Sequence, residues 1–217
     1  MDIQKPGWKV RCVVYDCDGV LFDSLEANGR LYNDLSARLG KAPLSEEQLR
    51  YVHSHTVFES IRCIAGEDEG LEKKGLELLK ETDLSEYIKY LKMEPNLLQA
   101  LSALKERGTL RAVNTNRTTS MKYIMERFNL WPYFDMVVTA LDVKNPKPHP
   151  ESIEKIVSAL NLSKNEIVFI GDSQVDKQTA ESAGVRFIAY KNKEISNGVL
   201  INDHLELLEL VGNGKSS

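Results

Sequence analysis

The chain has 217 residues, 42% of them apolar and 28% charged, and its acids exceed its bases by four. Those proportions support a sizeable buried core and exclude wholesale disorder, while 13 Gly and 7 Pro are too few for a fibrous chain. The negative balance argues against nucleic acid or an anionic membrane as a partner, because both select a basic surface.

From the N-terminus, Met1 to Pro6 carries no apolar stretch of the secretory kind, and no later run approaches the roughly 18 apolar residues of a membrane span. Cys12, Cys17 and Cys63 are an odd number at no metal-binding spacing, as expected of reduced thiols in the cytoplasm. Val10 to Tyr15 is a short β-branched run that reads as a buried parallel strand, and it ends in Asp16-Cys17-Asp18-Gly19. Residues 24–92 break the strand rhythm. They read as helices over Leu25 to Leu39, Glu46 to Val52 and Phe58 to Ala65, followed by a charged stretch through Leu91.

Beyond Glu94-Pro95 the alternation of strand and helix resumes. Leu110 to Asn114, Ile167 to Ile170 and Val185 to Tyr190 read as strands, with a weaker one at Met136 to Ala140 and an undecided edge at Val199 to Asn202. The intervening helices are expected over Asn96 to Arg107, Met121 to Asn129, Pro150 to Leu160 and Val175 to Ala183. Gly108 and Gly184 are natural stops for two of them. Gly212 to Ser217 reads as a frayed end. Alternation of this sort predicts an α/β core with a parallel sheet, built from residues 1–23 and 93–217 and interrupted by a helical unit at 24–92.

Ligands of parallel α/β sheets bind beyond the carboxyl ends of the strands. The polar residues expected there are Asp16 and Asp18, Thr115 and Asn116, Lys147, and Asp172 with Asp176 close behind. Four carboxylates drawn together oppose one another's ionisation. A hard divalent cation such as Mg²⁺, which takes oxygen ligands, resolves that conflict. Neither a Gly-x-Ser-x-Gly elbow nor a Gly-rich loop ending in Lys-Ser/Thr is present. A carboxylate is a competent nucleophile toward phosphorus. Lys147, Thr115 and Asn116 suit the equatorial oxygens of a transferring phosphoryl group. A calcium loop starting at Asp16 is disfavoured, since Ala27 stands where its bidentate Glu belongs.

The four segments together resemble the haloacid dehalogenase superfamily. They are Asp16-Cys17-Asp18-Gly19-Val20-Leu21-Phe22-Asp23-Ser24, Asn114-Thr115-Asn116, Lys147-Pro148-His149-Pro150-Glu151, and Gly171-Asp172-Ser173-Gln174-Val175-Asp176. The helical unit after the first of them looks like the cap of the phosphoglycolate phosphatase and β-phosphoglucomutase branch. The resemblance implies a Rossmann-like core and Asp16 as a nucleophile that forms an aspartyl-phosphate. It implies Asp18 as general acid and then base, and Thr115 and Lys147 as ligands of the phosphoryl group. Asp16, the backbone carbonyl of Asp18, and Asp172 would hold Mg²⁺, with Asp176 a direct ligand, a water-mediated one or an orienter of Lys147.

The implied function is hydrolysis of a small phosphorylated metabolite, phosphoglycolate-like or a sugar phosphate, by a cytoplasmic monomer or homodimer. A phosphomutase and a non-catalytic phosphometabolite-binding module are the alternatives. His53, His55 and Arg62 read as surface or packing residues. Cys17 and Cys63 read as small packing groups.

Overall fold

The computed structural model describes residues 8–211, so the expectations for Met1 to Pro6 and Gly212 to Ser217 lie outside the described residues. Strand β1 (Cys12–Tyr15) leads through a tight loop to β2 (Phe22–Asp23). Five helices follow: α1 (Leu25–Arg38), α2 (Glu46–Ser54), α3 (Val57–Ala65), α4 (Glu69–Glu81) and the short α5 (Ser85–Ile88). The chain returns through β3 (Lys92–Met93), α6 (Leu97–Glu106), β4 (Leu110–Asn114), α7 (Ser120–Arg127) and β5 (Met136–Val138). It closes with α8 (Glu151–Ala159), β6 (Ile167–Gly171), α9 (Gln174–Ala183), β7 (Arg186–Tyr190), β8 (Leu200–Ile201) and a last turn, α10 (Leu207–Leu210).

Six strands form a parallel sheet in the order β5-β4-β1-β6-β7-β8. β1 is central, and every one of its residues is buried, which is why it reads as a continuous apolar run rather than an alternating one. Its period of two still assigns each side chain to a face. Val13 and Tyr15 join Leu101, Leu104 and Ile124 of α6 and α7 on one side. Cys12 and Val14 join Ile153, Ile156 and Ala180 of α8 and α9 on the other. The α/β parallel core expected from the sequence is therefore present, covered on both faces.

The helices between β2 and β3 carry an apolar cluster of their own, comprising Tyr32, Leu35, Leu39, Leu44, Val52 and Ile64. Local chemistry sets their starts. Ser45 with Gln48 and Thr56 with Glu59 form reciprocal capping boxes that satisfy orphan amides at α2 and α3. Gly75 is buried where α4 crosses α3, and a Cβ there would stand 2.7 Å from Ile61 Cγ2.

Two features depart from the sequence reading. β2 and β3 form an antiparallel ribbon where the chain leaves and re-enters the core, and pairs of two residues are too short to carry a periodic signal. The weak strand near 136 ends at Val138, because Thr139 caps a 3₁₀ turn over Ala140–Asp142. The undecided edge at 199–202 is β8, paired in parallel with β7. No helix among the described residues is long and apolar enough to cross a membrane.

Candidate active site

Sheet register brings the first polar residues together. Tyr15, the last residue of β1, is level with Val113 on β4 and Ile170 on β6. The next residue, Asp16, donates its amide to the Ile170 carbonyl at 3.0 Å. Thr115 and Asp172 stand just past the ends of the flanking strands, so three chain segments deliver their polar groups to one crevice.

Within the crevice Lys147 is almost wholly buried and its Nζ lies 2.8 Å from Asp16 Oδ1 and 2.6 Å from Asp176 Oδ1. Carboxylate oxygens of Asp16, Asp172 and Asp176 lie within 4.8 Å of one another, a spacing that one cation could bridge. Two glycines permit this crowding. Gly19 has φ +72°, and a Cβ there would fall 2.0 Å from Asp172 Oδ2. At Gly171 a Cβ would fall 2.2 Å from the Cβ of Asp176. Asp172 is steadied from outside by Asn192, whose Nδ2 donates to its backbone carbonyl at 2.8 Å.

Asp176 has a second task. Ser173 is the N-cap of α9 and forms a capping box with Asp176, so the carboxylate accepts from Ser173 with one oxygen and from Lys147 with the other. Ser173 rather than Asp172 caps α9, which leaves the Asp172 carboxylate to lie beside that of Asp16.

Asp18 stands apart from the three acids. Arg117 grips it with both ends of its guanidinium, Nη2 to Oδ1 at 2.6 Å and Nε to Oδ2 at 2.8 Å. Asn28 of α1 completes a ring, donating to Asp18 Oδ1 at 3.2 Å and accepting from Arg117 Nη2 at 3.1 Å. His53 Nδ1 of α2 lies 3.3 Å from Asn28 Nδ2. The assignment of Asp18 to the metal set thus does not extend to its carboxylate. Its side chain belongs to a core–helix network, and only its backbone carbonyl is left for a cation.

Asn116 turns its Nδ2 to the Lys147 carbonyl at 3.1 Å, tying the two loops together, and its buried Oδ1 accepts no protein hydrogen bond. Thr115 Oγ1 accepts from the Arg117 amide at 3.1 Å, which shapes the loop that aims Arg117. Arg117 and Asn28 escaped the sequence reading. The available signals were an arginine directly after a strand-end Thr-Asn and an asparagine on the apolar stripe of α1. His53, read as a surface or packing residue, packs against Asn28 at the edge of this network.

Burial, and next the charge of Asp176, push the Asp16 carboxyl up to about 8 against the pull of Lys147. Asp172 is raised well above 3.8 by burial and by Asp176 and Asp16. Burial also opposes ionisation of Asp18, but the Arg117 guanidinium outweighs it and holds the group down to about 2. Lys147 is disfavoured by burial yet held firmly protonated by Asp16 and Asp176. The centre is therefore one lysine set among three acids, with an excess of negative charge that a divalent cation would relieve. All three donors are hard oxygens, the ligand type that Mg²⁺ or Ca²⁺ prefers.

A cavity of about 490 Å³ opens from this centre between the sheet and the helices α1 to α5. Asp16, Asp18, Thr115, Asn116, Lys147 and Asp172 all line it; Asp176 lies beneath, fully buried. Thr118 to Ser120 at the start of α7 and Ser173 at the start of α9 line it too. Glu151, at the start of α8, accepts from the amides of Lys144 and Asn145 and is not part of the cavity lining.

Comparison with known proteins agrees with this geometry. Residues 13–190 match the family of haloacid dehalogenase-like hydrolases. A phosphoglycolate phosphatase of Rhodobacter capsulatus is 31% identical over 187 residues, covering 82% of this chain and 83% of that one. A phosphorylated carbohydrates phosphatase of Thermotoga maritima is 29% identical, covering 82% and 84%. The crystal structure of a haloacid dehalogenase-superfamily hydrolase, subfamily IA, from Geobacter sulfurreducens is 36% identical. It superposes with a TM-score of 0.76 over 95% of this chain and 98% of that one. The chain belongs to the haloacid dehalogenase-like hydrolase family and is an enzyme.

Gly19→Ala places a methyl group inside the Asp172 carboxylate and strains a left-handed backbone. It should lower kcat/KM on p-nitrophenyl phosphate on the order of 100-fold, the scale of an ångström-sized misplacement. A second outcome follows from Asp172. Its carboxyl ionises near 3.8 when unfolded and at higher pH when folded, so above about pH 4 ionisation favours the unfolded chain. In chelator, Asp172→Asn should raise the melting temperature by roughly 2–4 °C per kcal/mol relieved, by a margin that grows as pH rises toward neutrality.

Proposed function

We propose that the chain is a Mg²⁺-dependent phosphatase acting on a small phosphomonoester through an aspartyl-phosphate at Asp16. The observation that carries this reading is the buried contact of Asp16 with Lys147 beside Asp172 and Asp176. Asp16 Oδ1 takes the lysine and its neighbour's amide, Cys17 N at 2.7 Å, which leaves Oδ2 for phosphorus. The relatives named as phosphatases support the class of substrate.

In the first step Asp16 Oδ2 forms a bond to phosphorus as the bond to the ester oxygen breaks, and that oxygen takes a proton from Asp18. In the second step water attacks phosphorus, gives its proton to Asp18, and the bond to Asp16 breaks. Lys147 balances charge on the equatorial oxygens, and Thr115 supplies a hydroxyl at the same edge. Asp18 is held ionised by Arg117, a form suited to the second step; acid action in the first requires the carboxyl to leave Arg117 and take up a proton. Mg²⁺ would be held by Asp16, Asp172 and the Asp18 carbonyl, and would supply charge neutralisation to the carboxylates and the phosphoryl group. Asp176, with both oxygens engaged, would orient Lys147.

Residues 24–92 would act as a cap on a core of 1–23 and 93–217. The β2–β3 ribbon would form the two connections, and the Asn28–Asp18–Arg117 network would join cap to core. A cap of this kind excludes bulk water from the aspartyl-phosphate and limits substrate size.

Asp16→Asn should abolish hydrolysis of p-nitrophenyl phosphate while retaining the far-ultraviolet circular dichroism of the parent; residual turnover at the parent rate would remove Asp16 from the nucleophile's role. Millimolar Mg²⁺ should raise the melting temperature of the parent. The stabilisation is about 2.7 kcal/mol at 100 times the dissociation constant, and Asp172→Asn should lose most of the rise.

A further inference from the structure

We infer that the ester this enzyme hydrolyses carries an apolar alcohol, aromatic or branched aliphatic, in preference to a carboxylate or a polyhydroxylated sugar. The inference rests on the phosphatase reading above and names the half of the substrate which that reading leaves open. The cavity that begins at Asp16 and Lys147 continues into walls that are apolar from both sides. Leu31, Tyr32, Val57 and Phe58 come from the helical unit, and Tyr123 and Leu141 from the core.

Exposure sharpens the point. Among the described residues six large apolar side chains are exposed, and three of them, Phe58, Tyr123 and Leu141, line this one cavity. They come from α3, from α7 and from the turn after β5, so their convergence is a product of the fold rather than of a local run. Apolar surface gathered around an opening is costly in water and is covered in a working complex. A cavity of about 490 Å³ also lies within the usual range of roughly 300–1,000 Å³ for small-molecule sites.

The polar complement points the same way. A carboxylate or a second phosphate on the alcohol would require a cation beyond the phosphoryl pocket. Of the cationic side chains lining the cavity, Lys147 is engaged by Asp16 and Asp176, and Arg117 by Asp18 and Asn28. Lys80 of α4 also lines the cavity but is exposed to water, which screens its charge; His55 stacks on Tyr51 with its Nδ1 2.8 Å from the Tyr51 carbonyl; and burial holds the His53 imidazole toward its neutral form. Distal to the carboxylates, the walls reward removal of apolar area from water more than hydrogen bonding.

A homologous series of n-alkyl phosphates from ethyl to octyl tests this, together with phenyl phosphate, phosphoglycolate and glucose 6-phosphate, with p-nitrophenyl phosphate as the control. The expected result is a rise in kcat/KM of up to about fourfold per methylene until the cavity is filled, the transfer value of a buried methylene. Phenyl phosphate should exceed both phosphoglycolate and glucose 6-phosphate. Tyr123→Asn and Leu141→Asn alter half-exposed side chains, and each should flatten the slope of the series by lowering rates on the longest esters most.

A flat or falling series, or phosphoglycolate as the best ester, overturns the inference while p-nitrophenyl phosphate turnover keeps the phosphatase reading. Equal loss on every ester in both variants overturns it too, since that assigns the apolar walls to cap closure alone. Absence of turnover on all esters, the control included, overturns the phosphatase reading and this inference with it.

Discussion

The structure turns on an imbalance of charge: three carboxylates, from Asp16, Asp172 and Asp176, converge on a single buried ammonium, that of Lys147. Burial multiplies the strength of every electrostatic term at the site. A fold that holds such a cluster accepts a stability cost in exchange for a strong preference for a cation. The rest of the site serves that arrangement. The parallel register sets Asp16 level with the ends of β4 and β6, Gly19 and Gly171 remove side chains that would collide with Asp172 and Asp176, and the capping box of α9 locks the second oxygen of Asp176.

Two acids separated by one residue are driven to opposite electrostatic fates. Burial, reinforced by the charge of Asp176, raises Asp16; at Asp18 a bidentate arginine outweighs burial and lowers it. The difference follows from the turn after β1: Asp16 stays beside the end of β6 and Lys147, while the chain, turning at Gly19 with φ +72°, carries Asp18 toward α1 and the loop after β4. The ring formed by Asp18, Arg117 and Asn28 joins the sheet edge to the first helix of the helical unit. The hydrogen bonds that tie α1 to the sheet edge are thus the same ones that surround the Asp18 carboxylate.

The cavity combines two solvents. At its floor, charged oxygens and Lys147 make a polar end suited to a phosphoryl group; toward its mouth, Phe58, Tyr123 and Leu141 make an apolar one. Chemistry and selectivity are therefore carried by different segments. The loops at the strand ends hold the charged and hydroxylic groups, while α3, α7 and the turn after β5 present the exposed apolar surface.

Much of this was legible in the chain itself. Short β-branched runs ending in acidic or hydroxylic residues identified β1, β4 and β6 and the candidates at their ends, because a buried parallel strand tolerates little but apolar residues and its carboxyl end faces the crevice. Glycine stops delimited α6 and α9 nearly to the residue. What only the tertiary structure decided was partnership. Arg117 and Asn28 are 89 residues apart and carry no local pattern that pairs them with Asp18. Ser173 rather than Asp172 caps α9, and the two-residue strands β2 and β3 gain their hydrogen bonds only from each other. Periodicity and turn chemistry report a residue's near neighbours along the chain, whereas the charge state of a buried carboxyl depends on which distant groups packing sets within a few ångströms of it.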